Sequence, residues 1–521
     1  MTSMPVPEHL PNRGNSIFSP LATKQVPREH PRLLGPRARL QALAKERPDA
    51  YRRTKETAAR DLTVSPHPAD ATADFGALVS VYAKIASLSL VCAIEQNREA
   101  GRKAIELVIE HYLAKPVPIG HVTFGGDCGV CAIAYDFCHE HWTSDERKRF
   151  HTFLFACRDG NVDEEPSPFH DGWWGYKNWG FILALLAVMY ETDDKEAYML
   201  YGIDREFRTV AAEALRLAGD GGGYPEGFYV NYYMHDWLFA CEAMRHCTGA
   251  DYVAQVPEFY ASRAIASVFE LYPSIRERNS RRSICVGDGR GRFFKVERDA
   301  TLTANRMLVA YHRNDSANQA INTYLNQTPH PGADENAWRE LLWFDPTVKQ
   351  GNLKKFKRSH VSPGAGNVYA RSSWENDATY FFFKCGKRFT AHQHLDVGHF
   401  FIYKHEELAT EGGEYADYSG PHDSNYYSRT VAHNSMLIHD PTEKFQAIRG
   451  YTGLTANDGG QAYPWQVPPS VTMAMPWMLM LGVGIPNSAI LPICWPTRML
   501  AHSCTRPEIA PERMRPRSSI G

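Results

Sequence analysis

From about residue 36 to about residue 270, apolar side chains recur every three to four positions, the spacing that gathers them on one face of an α-helix. "FGALVSVYAKIASLSLVCAIEQ", "GRKAIELVIEHYLA", "CAIAYDFCHEHW", "DERKRFHTFLFACRDG", "NWGFILALLAVMYETDD", "FRTVAAEALRLAGDGGG" and "YMHDWLFACEAMRHCTG" each predict a helix of ordinary length. Short Gly, Asp or Pro breaks separate them. Helices joined by short loops pack as antiparallel pairs, so this half is expected to be an array of αα-hairpins. Near residue 283 the pattern changes to the Gly-rich "SICVGDGRGRF", and from about residue 366 short runs alternate apolar with polar: "GNVYARSSW", "ATYFFFKCG", "GHFFIYKHEELATEGG" and "AHNSMLIHD". Alternation with aromatic and β-branched content predicts antiparallel strands.

Helices first and strands afterwards imply segregated domains, an α+β multidomain chain. The divisions expected are an N-terminal extension at 1–35, a helical domain at 36–282, a connecting segment at 283–365, an antiparallel β-sandwich at 366–464 and an atypical tail at 465–521. Between Gly459 and Pro507 the chain has no acidic residue. Pro476, Pro486 and Pro492 interrupt any apolar run of the roughly 20 residues a membrane helix needs. The tail therefore reads as frameshifted or disordered rather than as an anchor, and the sandwich is expected to be truncated.

Charge excludes little except general polyanion binding: 57 basic residues stand against 59 acidic ones in 521. Neither nucleic acid nor a membrane surface is an expected partner, and any polyanion must be held by local clusters. Eleven cysteines, odd in number and irregularly spaced, are too dilute for a disulfide scaffold. Cys128 and Cys131 form a C-x-x-C with no second pair, which reads as two core thiols. "MTSMPVPEHLPNRGN" lacks a signal pattern, so the chain as written is expected in the cytoplasm, or in the periplasm or outside the cell if the true start lies elsewhere.

Chemistry concentrates in three places. "FTAHQHLDVGHF" reads as a strand, in which His392, His394 and Asp396 share a face. Two imidazoles and a carboxylate are half of a metal site or half of an acid/base site, and the motif alone does not choose. Downstream lie Glu411, Glu414 and His433; a closed zinc site could combine His394, an acidic residue and His433 on neighbouring strands, leaving His392 for catalysis. "DGGGYPEGFYVNYYMHDW" packs Tyr224, Glu226, Tyr229, Asn231, Tyr232, Tyr233 and His235 behind a Gly-rich break, and "HDGWWGYKNWG" adds His170, Trp173, Trp174, Lys177 and Asn178. Aromatic faces beside Asn, Lys and His suit a sugar cleft and suit a helix-end core equally well. Arg290, Arg371 and Arg388, with Lys177 and His235, could hold an anionic sugar, because guanidinium forks match carboxylate and sulfate.

Taken together, "HPRLL", "DGGGYPEGFYVNYY", "HQHLDVGHF", "EGGEY", "YSRTVAHNSMLI" and "NDGGQ" resemble the heparinase II/III-like family of polysaccharide lyases, over roughly residues 30–460. The resemblance implies an incomplete (α/α) toroid followed by antiparallel sandwich layers, and β-elimination at a 4-linked uronic acid of an anionic polysaccharide such as heparan sulfate or alginate. It implies Asn178 as the group that neutralises the substrate carboxylate, although an Asn here could instead cap a helix. Tyr233 would be the general acid, with Tyr229 and Tyr232 as alternatives in register. It could act as a base only if cations lower a phenol pKa of about 10. His392 would be a second base. His394, Glu411 and His433 fall where some members bind a structural Zn2+, with Glu where the family has Asp; no organic cofactor is implied. Asp396 would orient a histidine or support a turn. Glu226, Tyr229, Tyr232, Trp174, Lys177, His235, Arg290 and Arg388 are the expected substrate contacts, and a homodimer is one expected assembly. The rivals are a glycoside hydrolase using Glu226 and Asp236 as paired carboxylates, and an inactive carbohydrate-binding relative.

Overall fold

The computed structural model describes residues 26–62, 78–118, 124–161, 168–193, 195–275, 281–288, 294–327, 337–390, 392–415 and 420–437. The apolar runs fold as helices: α1 Arg37–Glu46, α2 Pro48–Ala59, α3 Val81–Glu95, α4 Arg98–Val108, α5 Phe124–Phe137, α6 Ser144–Asp159, α7 Trp179–Ala187, α8 Lys195–Glu206, α9 Ala212–Ala218, α10 Val230–Thr248, α11 Tyr252–Gln255 and α12 Pro257–Phe269. Their starts are chemically marked. Ser80, Asn97 and Thr143 accept hydrogen bonds from Ala83, Ala100 and Glu146 backbone N–H groups, occupying donors that the first turn leaves open. α3, α5 and α7 are apolar around most of their circumference and are correspondingly buried. Cys128 and Cys131 lie fully buried on α5 as free thiols, in the core role expected of them. No helix among the described residues is long and apolar enough to cross a membrane.

The stretch 283–365 departs from expectation. Rather than only connecting, it carries α13 Phe294–Tyr311, α14 Ser316–Asn326 and α15 Ala337–Trp343. Ala304, Met307 and Leu308 on α13, and Ile321, Tyr324 and Leu325 on α14, are buried at helical spacing. The Gly-rich run that precedes α13 masked this periodicity. α13 packs on α10 and α12, and α15 on α13, α2 and α3. With α2 on α3, α3 on α5, α5 on α7 and α7 on α10, the packing runs through a closed circuit of helices.

Two short pairs, β1 Asp61–Leu62 with β2 Leu78–Val79 and β3 Leu271–Ile275 with β4 Arg281–Ser283, accompany the helices. The main sheet has five antiparallel strands in sequence order, β5 Ser359–Ser362, β6 Asn367–Arg371, β7 Tyr380–Lys384, β8 Phe400–Lys404 and β9 Glu406–Ala409. Val368 sits opposite Phe383 and Ala370 opposite Phe381, so aromatic and aliphatic side chains pair across the centre. Every residue of β6 and β7 is buried, whereas β9, at an edge, alternates exposed and half-buried. A second sandwich layer, the motif "NDGGQ", the later part of the 366–464 segment and the 465–521 tail fall outside the described residues.

The sheet is bolted to the end of α12. Arg371 donates to Leu271 O at 2.7 Å and Tyr380 Oη to Phe269 O at 2.8 Å. Arg371 also lies over the Trp374 ring at 4.2 Å and is wholly buried. It holds the two parts together and is not a sugar contact.

Candidate active site at the junction of helices and sheet

"FTAHQHLDVGHF" is not a strand. The chain leaves the sheet at Lys384 and re-enters it at Phe400, and the loop between is closed at its base: Lys384 N donates to His399 O at 2.9 Å and Gly398 N to Lys384 O at 2.8 Å. Asp396 forms a buried ion pair with Lys384 at 2.6 Å, which fixes that closure and removes Asp396 from the candidate ligands. Alternation of polar and apolar side chains looked strand-like, but the polar ones turn inward to separate partners. The segment 420–437 clamps the loop from the other side, with Leu395 N donating to Ser428 O at 2.9 Å and Thr430 Oγ1 to Leu395 O at 2.7 Å.

Asp288, wholly buried, organises the site. Its Oδ2 lies 2.5 Å from His392 Nδ1 and its Oδ1 2.8 Å from His394 Nε2. One carboxylate thus fixes both imidazoles. It can reach them because two glycines let backbones pass at close range: Gly227, at φ +60°, and Gly287, at φ +77°. A Cβ on Gly227 would stand 2.1 Å from Val286 O, and one on Gly287 would stand 3.0 Å from His392 O.

On the helical side, His392 stacks on Tyr229 at 4.4 Å between ring centroids and lies 5.0 Å from the His170 ring. Glu226, fully buried, accepts from Asp171 N at 2.7 Å and from Thr390 Oγ1 at 2.6 Å. It staples the Gly-rich break to the His loop and is not a sugar contact as expected. Burial, then the neighbouring Asp171, push the Glu226 carboxyl up to about 8. Burial opposes charge on His392, but its hydrogen bond to Asp288 and the carboxyls of Glu226 and Asp171 prevail and raise it to about 9. At neutral pH both groups hold their protons.

Gly172–Asn178 wind as a π-helix that leads into α7, and α10 packs against it. Gly175 permits the approach, since a Cβ there would meet Tyr233 Cβ at 2.4 Å. Asn178 is wholly buried, makes no helix-capping bond, and neither its amide nitrogen nor its oxygen has a hydrogen-bond partner among the described residues. Tyr233 Oη is likewise buried and makes no hydrogen bond of good geometry among the described residues, its neighbouring hydroxyl being that of Tyr224. Burial first, with Asp171 and Glu226 nearby, raises the Tyr233 phenol well above its ordinary value, although Tyr224 and Arg263 pull the other way. The cations that would make this phenol a base therefore do not prevail, and the Tyr233 phenol keeps its proton in this arrangement.

On the sheet side, His394, Glu411 and His433 are buried with candidate ligand atoms within 4.8 Å of one another. His433 Nδ1 bonds Glu411 Oε2 at 2.7 Å, while His433 Nε2 and Glu411 Oε1 make no hydrogen bond. His394 donates through Nε2 to Asp288, so a neutral ring carries its lone pair on Nδ1. Imidazole nitrogens of His394 and His433 and a carboxylate oxygen of Glu411, all buried and within 4.8 Å of one another, fit a zinc ion. His399 completes the surround. Its Nδ1 accepts from Asn434 N at 2.8 Å, which places the proton on Nε2, 3.4 Å from Glu411 Oε1. His399 thus orients Glu411 rather than ligating.

The remaining expected contacts divide. Trp174 is a core residue, 1% exposed, with its Nε1 donating to Pro168 O at 2.8 Å and its ring packed on Trp173, Tyr233 and Trp237. His235 faces Asp236, 3.4 Å away, and burial lowers it to about 4; its described contacts are on that side and not at Asp288. Lys177 and Arg388 are half-buried, on the π-helix and the His loop respectively. Arg290 lies outside the described residues, as do the side chains of Asn231 and Tyr232. Sequence reasoning missed Asp288, Asp171, Thr390 and the role of His399. The one available signal for Asp288 was a lone carboxylate between glycines in "VGDGRG".

No family model matches the chain, and no curated protein matches it. Among solved structures, heparinase III aligns at 15% identity with a TM-score of 0.45, covering 76% of this chain and 62% of that one. Heparan sulfate lyase HepC from Pedobacter heparinus aligns at 16% identity with a TM-score of 0.41, covering 77% and 64%. The likeness is to heparinases. The chain spans under two thirds of the length of either structure.

Proposed function

We propose that the junction is the active site of a polysaccharide lyase that cleaves a 4-linked uronic acid by β-elimination. The observation that carries this reading is the pair of buried, unsatisfied groups, the Asn178 amide and the Tyr233 phenol, borne on packed elements beside the loops that present His392. A buried amide without partners costs about 1–3 kcal/mol per unsatisfied group, and a bound carboxylate and sugar hydroxyls would satisfy it.

The C5 proton of a uronate is scarcely acidic until its carboxylate is neutralised. Asn178 donates its amide N–H groups to that carboxylate. The neutral form of His392, a minority at neutral pH because Asp288 and the nearby carboxyls raise its pKa to about 9, takes the C5 proton through Nε2. Asp288 stabilises the conjugate acid, so this route is expected to quicken as pH rises toward 9. The electron pair forms the C4–C5 double bond, the C4–O bond breaks, and Tyr233 protonates the departing glycosidic oxygen. Tyr229 supports the His392 ring by stacking. Lys177 and Arg388, with Arg290, supply the charges for the anionic chain.

His394, Glu411 and His433 would hold a structural zinc, whose charge would pin the His loop to the chain after β9. The closed circuit of helices supports a toroidal reading of the helical part, and the five-stranded sheet supports reading it as one layer of a sandwich. The hydrolase alternative needs Glu226 and Asp236 as a pair, but Asp236 is held by Arg339 at 2.7 Å and Tyr82 at 3.0 Å, while Glu226 is held by Asp171 N and Thr390.

The test is ultraviolet absorbance of the new conjugated double bond during incubation with heparan sulfate, hyaluronan, chondroitin and alginate. A rise on one polymer, abolished by Tyr233→Phe and by His392→Ala, is the expected result. A saturated reducing end instead would mean hydrolysis, and binding without turnover would mean an inactive carbohydrate-binding protein.

A further inference from the structure

A second convergence of ligand-type side chains lies in the helical part, away from the junction. His30 comes from "HPRLL", His139 from the short turn after α5 and Glu191 from the turn after α7. Their candidate ligand atoms all lie within 4.8 Å of one another. His30 Nε2 and His139 Nε2 are each 3.5 Å from Glu191 Oε1, and the two imidazoles stack with centroids 3.7 Å apart and planes 7° from parallel.

We propose that His30, His139 and Glu191 form a divalent-metal site of the zinc type, which ties the segment before α1 to the ends of α5 and α7. The surrounding bonds select the ligand atoms. His30 Nδ1 donates to Asp136 Oδ1 at 2.6 Å, leaving the lone pair on Nε2. Asp136 is itself held by the backbone N–H groups of Arg32 and Leu33 at 3.0 Å. Such a carboxylate behind a histidine is the usual support of a ligating imidazole. Tyr135 Oη donates to Glu191 Oε2 at 2.5 Å, leaving Oε1 for a ligand, and His151 Nε2 supports Tyr135 Oη from 3.0 Å. His139 Nε2 is buried and makes no hydrogen bond. Two nitrogens and one oxygen, with Glu191 23% exposed, leave room for water as a fourth ligand.

Arg32 is the competing cation. Its guanidinium abuts His30 Nε2 and lies 3.9 Å from Glu191 Oε1. It also donates to Met189 O at 3.1 Å and Arg28 O at 3.0 Å. A metal ion would take over the neutralisation of Glu191 while those carbonyls retain the guanidinium. Nothing in the proposed elimination uses these residues, so the site is structural and its loss is separable from activity.

The experiment titrates Zn2+ into the full chain after chelator treatment, by calorimetry and by metal analysis of the desalted protein, with circular dichroism to verify folding. Because the sheet-side trio also fits zinc, the comparison is made both in the unaltered chain and in His433→Ala. In His433→Ala, one zinc is expected still to bind and to raise the melting temperature. Adding His139→Ala or Glu191→Gln should weaken that binding by about tenfold or more. In the unaltered chain, the same two substitutions should each lower the bound zinc by one. Zinc content and affinity unaffected by both substitutions, in either background, would overturn the proposal, as would failure of folded His433→Ala to bind zinc at all.

Discussion

Arg263 and Glu270 form a buried ionic network, and Asn178 and Tyr233 are buried polar groups on the helical side of the junction; the two regions are finished to different degrees. Arg263 donates to Gly222 O at 2.7 Å and to both oxygens of Glu270, and Tyr369 Oη reaches the same carboxylate at 3.4 Å. Each charge there is opposed and hydrogen-bonded. In the other region Asn178 and Tyr233 are buried with polar atoms that form no hydrogen bond among the described residues. A buried polar group persists without a partner only if something other than folding keeps it. The first region is therefore read as architecture joining α12 to the sheet, and the second as a place for a ligand.

That contrast is open to attack, most strongly at Arg263. Arg263→Ala leaves Glu270 charged and buried without its partner and should lower unfolding free energy by about 3–5 kcal/mol, measurable by denaturant titration. Tyr233→Phe should instead leave stability unchanged or slightly raised while lowering kcat/KM by about 10²–10⁴-fold. A melting loss comparable to that of Arg263→Ala would show that Tyr233 is architecture as well. Asn178→Leu keeps the volume and removes two unsatisfied groups. Its stability should stay within about 1 kcal/mol of the parent, with turnover reduced by about 10²-fold or more.

A smaller effect separates Glu226 from both regions. Its folded carboxyl titrates at about 8 against an ordinary 4.5. Between those values the folded state binds more protons than the unfolded state, so stability falls as pH rises from about 5 to about 8. Glu226→Gln should flatten that part of the stability profile while keeping the bond from Asp171 N. An unchanged slope would mean that Glu226 is already ionised when folded.

Much of this was legible along the chain. The helical runs, the strand runs and the order of the two were set by periodicity, because a buried face must repeat at the period of its element. His394, Glu411 and His433 were read as a group, and the structure brings their ligand atoms within 4.8 Å of one another. What misled was local pattern without its partner. His392, His394 and Asp396 alternate as a strand does, yet the alternation serves Asp288 and Lys384, which lie elsewhere in the sequence. Trp174, Arg371 and Glu226 have side chains suited to sugar, but the core and the junction claim them. The helices of 294–343 were hidden by the glycines before them.

The sequence by itself determined the helices before residue 270, the central strands of the sheet, and which residue types could do acid, base or ligand chemistry, since these follow from spacing and side-chain pKa. It misread 389–399 and 432–437 as strands, and neither is one. Only the tertiary structure decided which of them are committed to partners and which are left unsatisfied. Commitment depends on groups remote in sequence: Asp288 reaches His392 across 104 positions and His394 across 106. Burial then sets the protonation of Tyr233 and Glu226, and neighbouring carboxyls that of His392 against burial, because the desolvation and charges that shift a pKa exist only after the chain has closed around them.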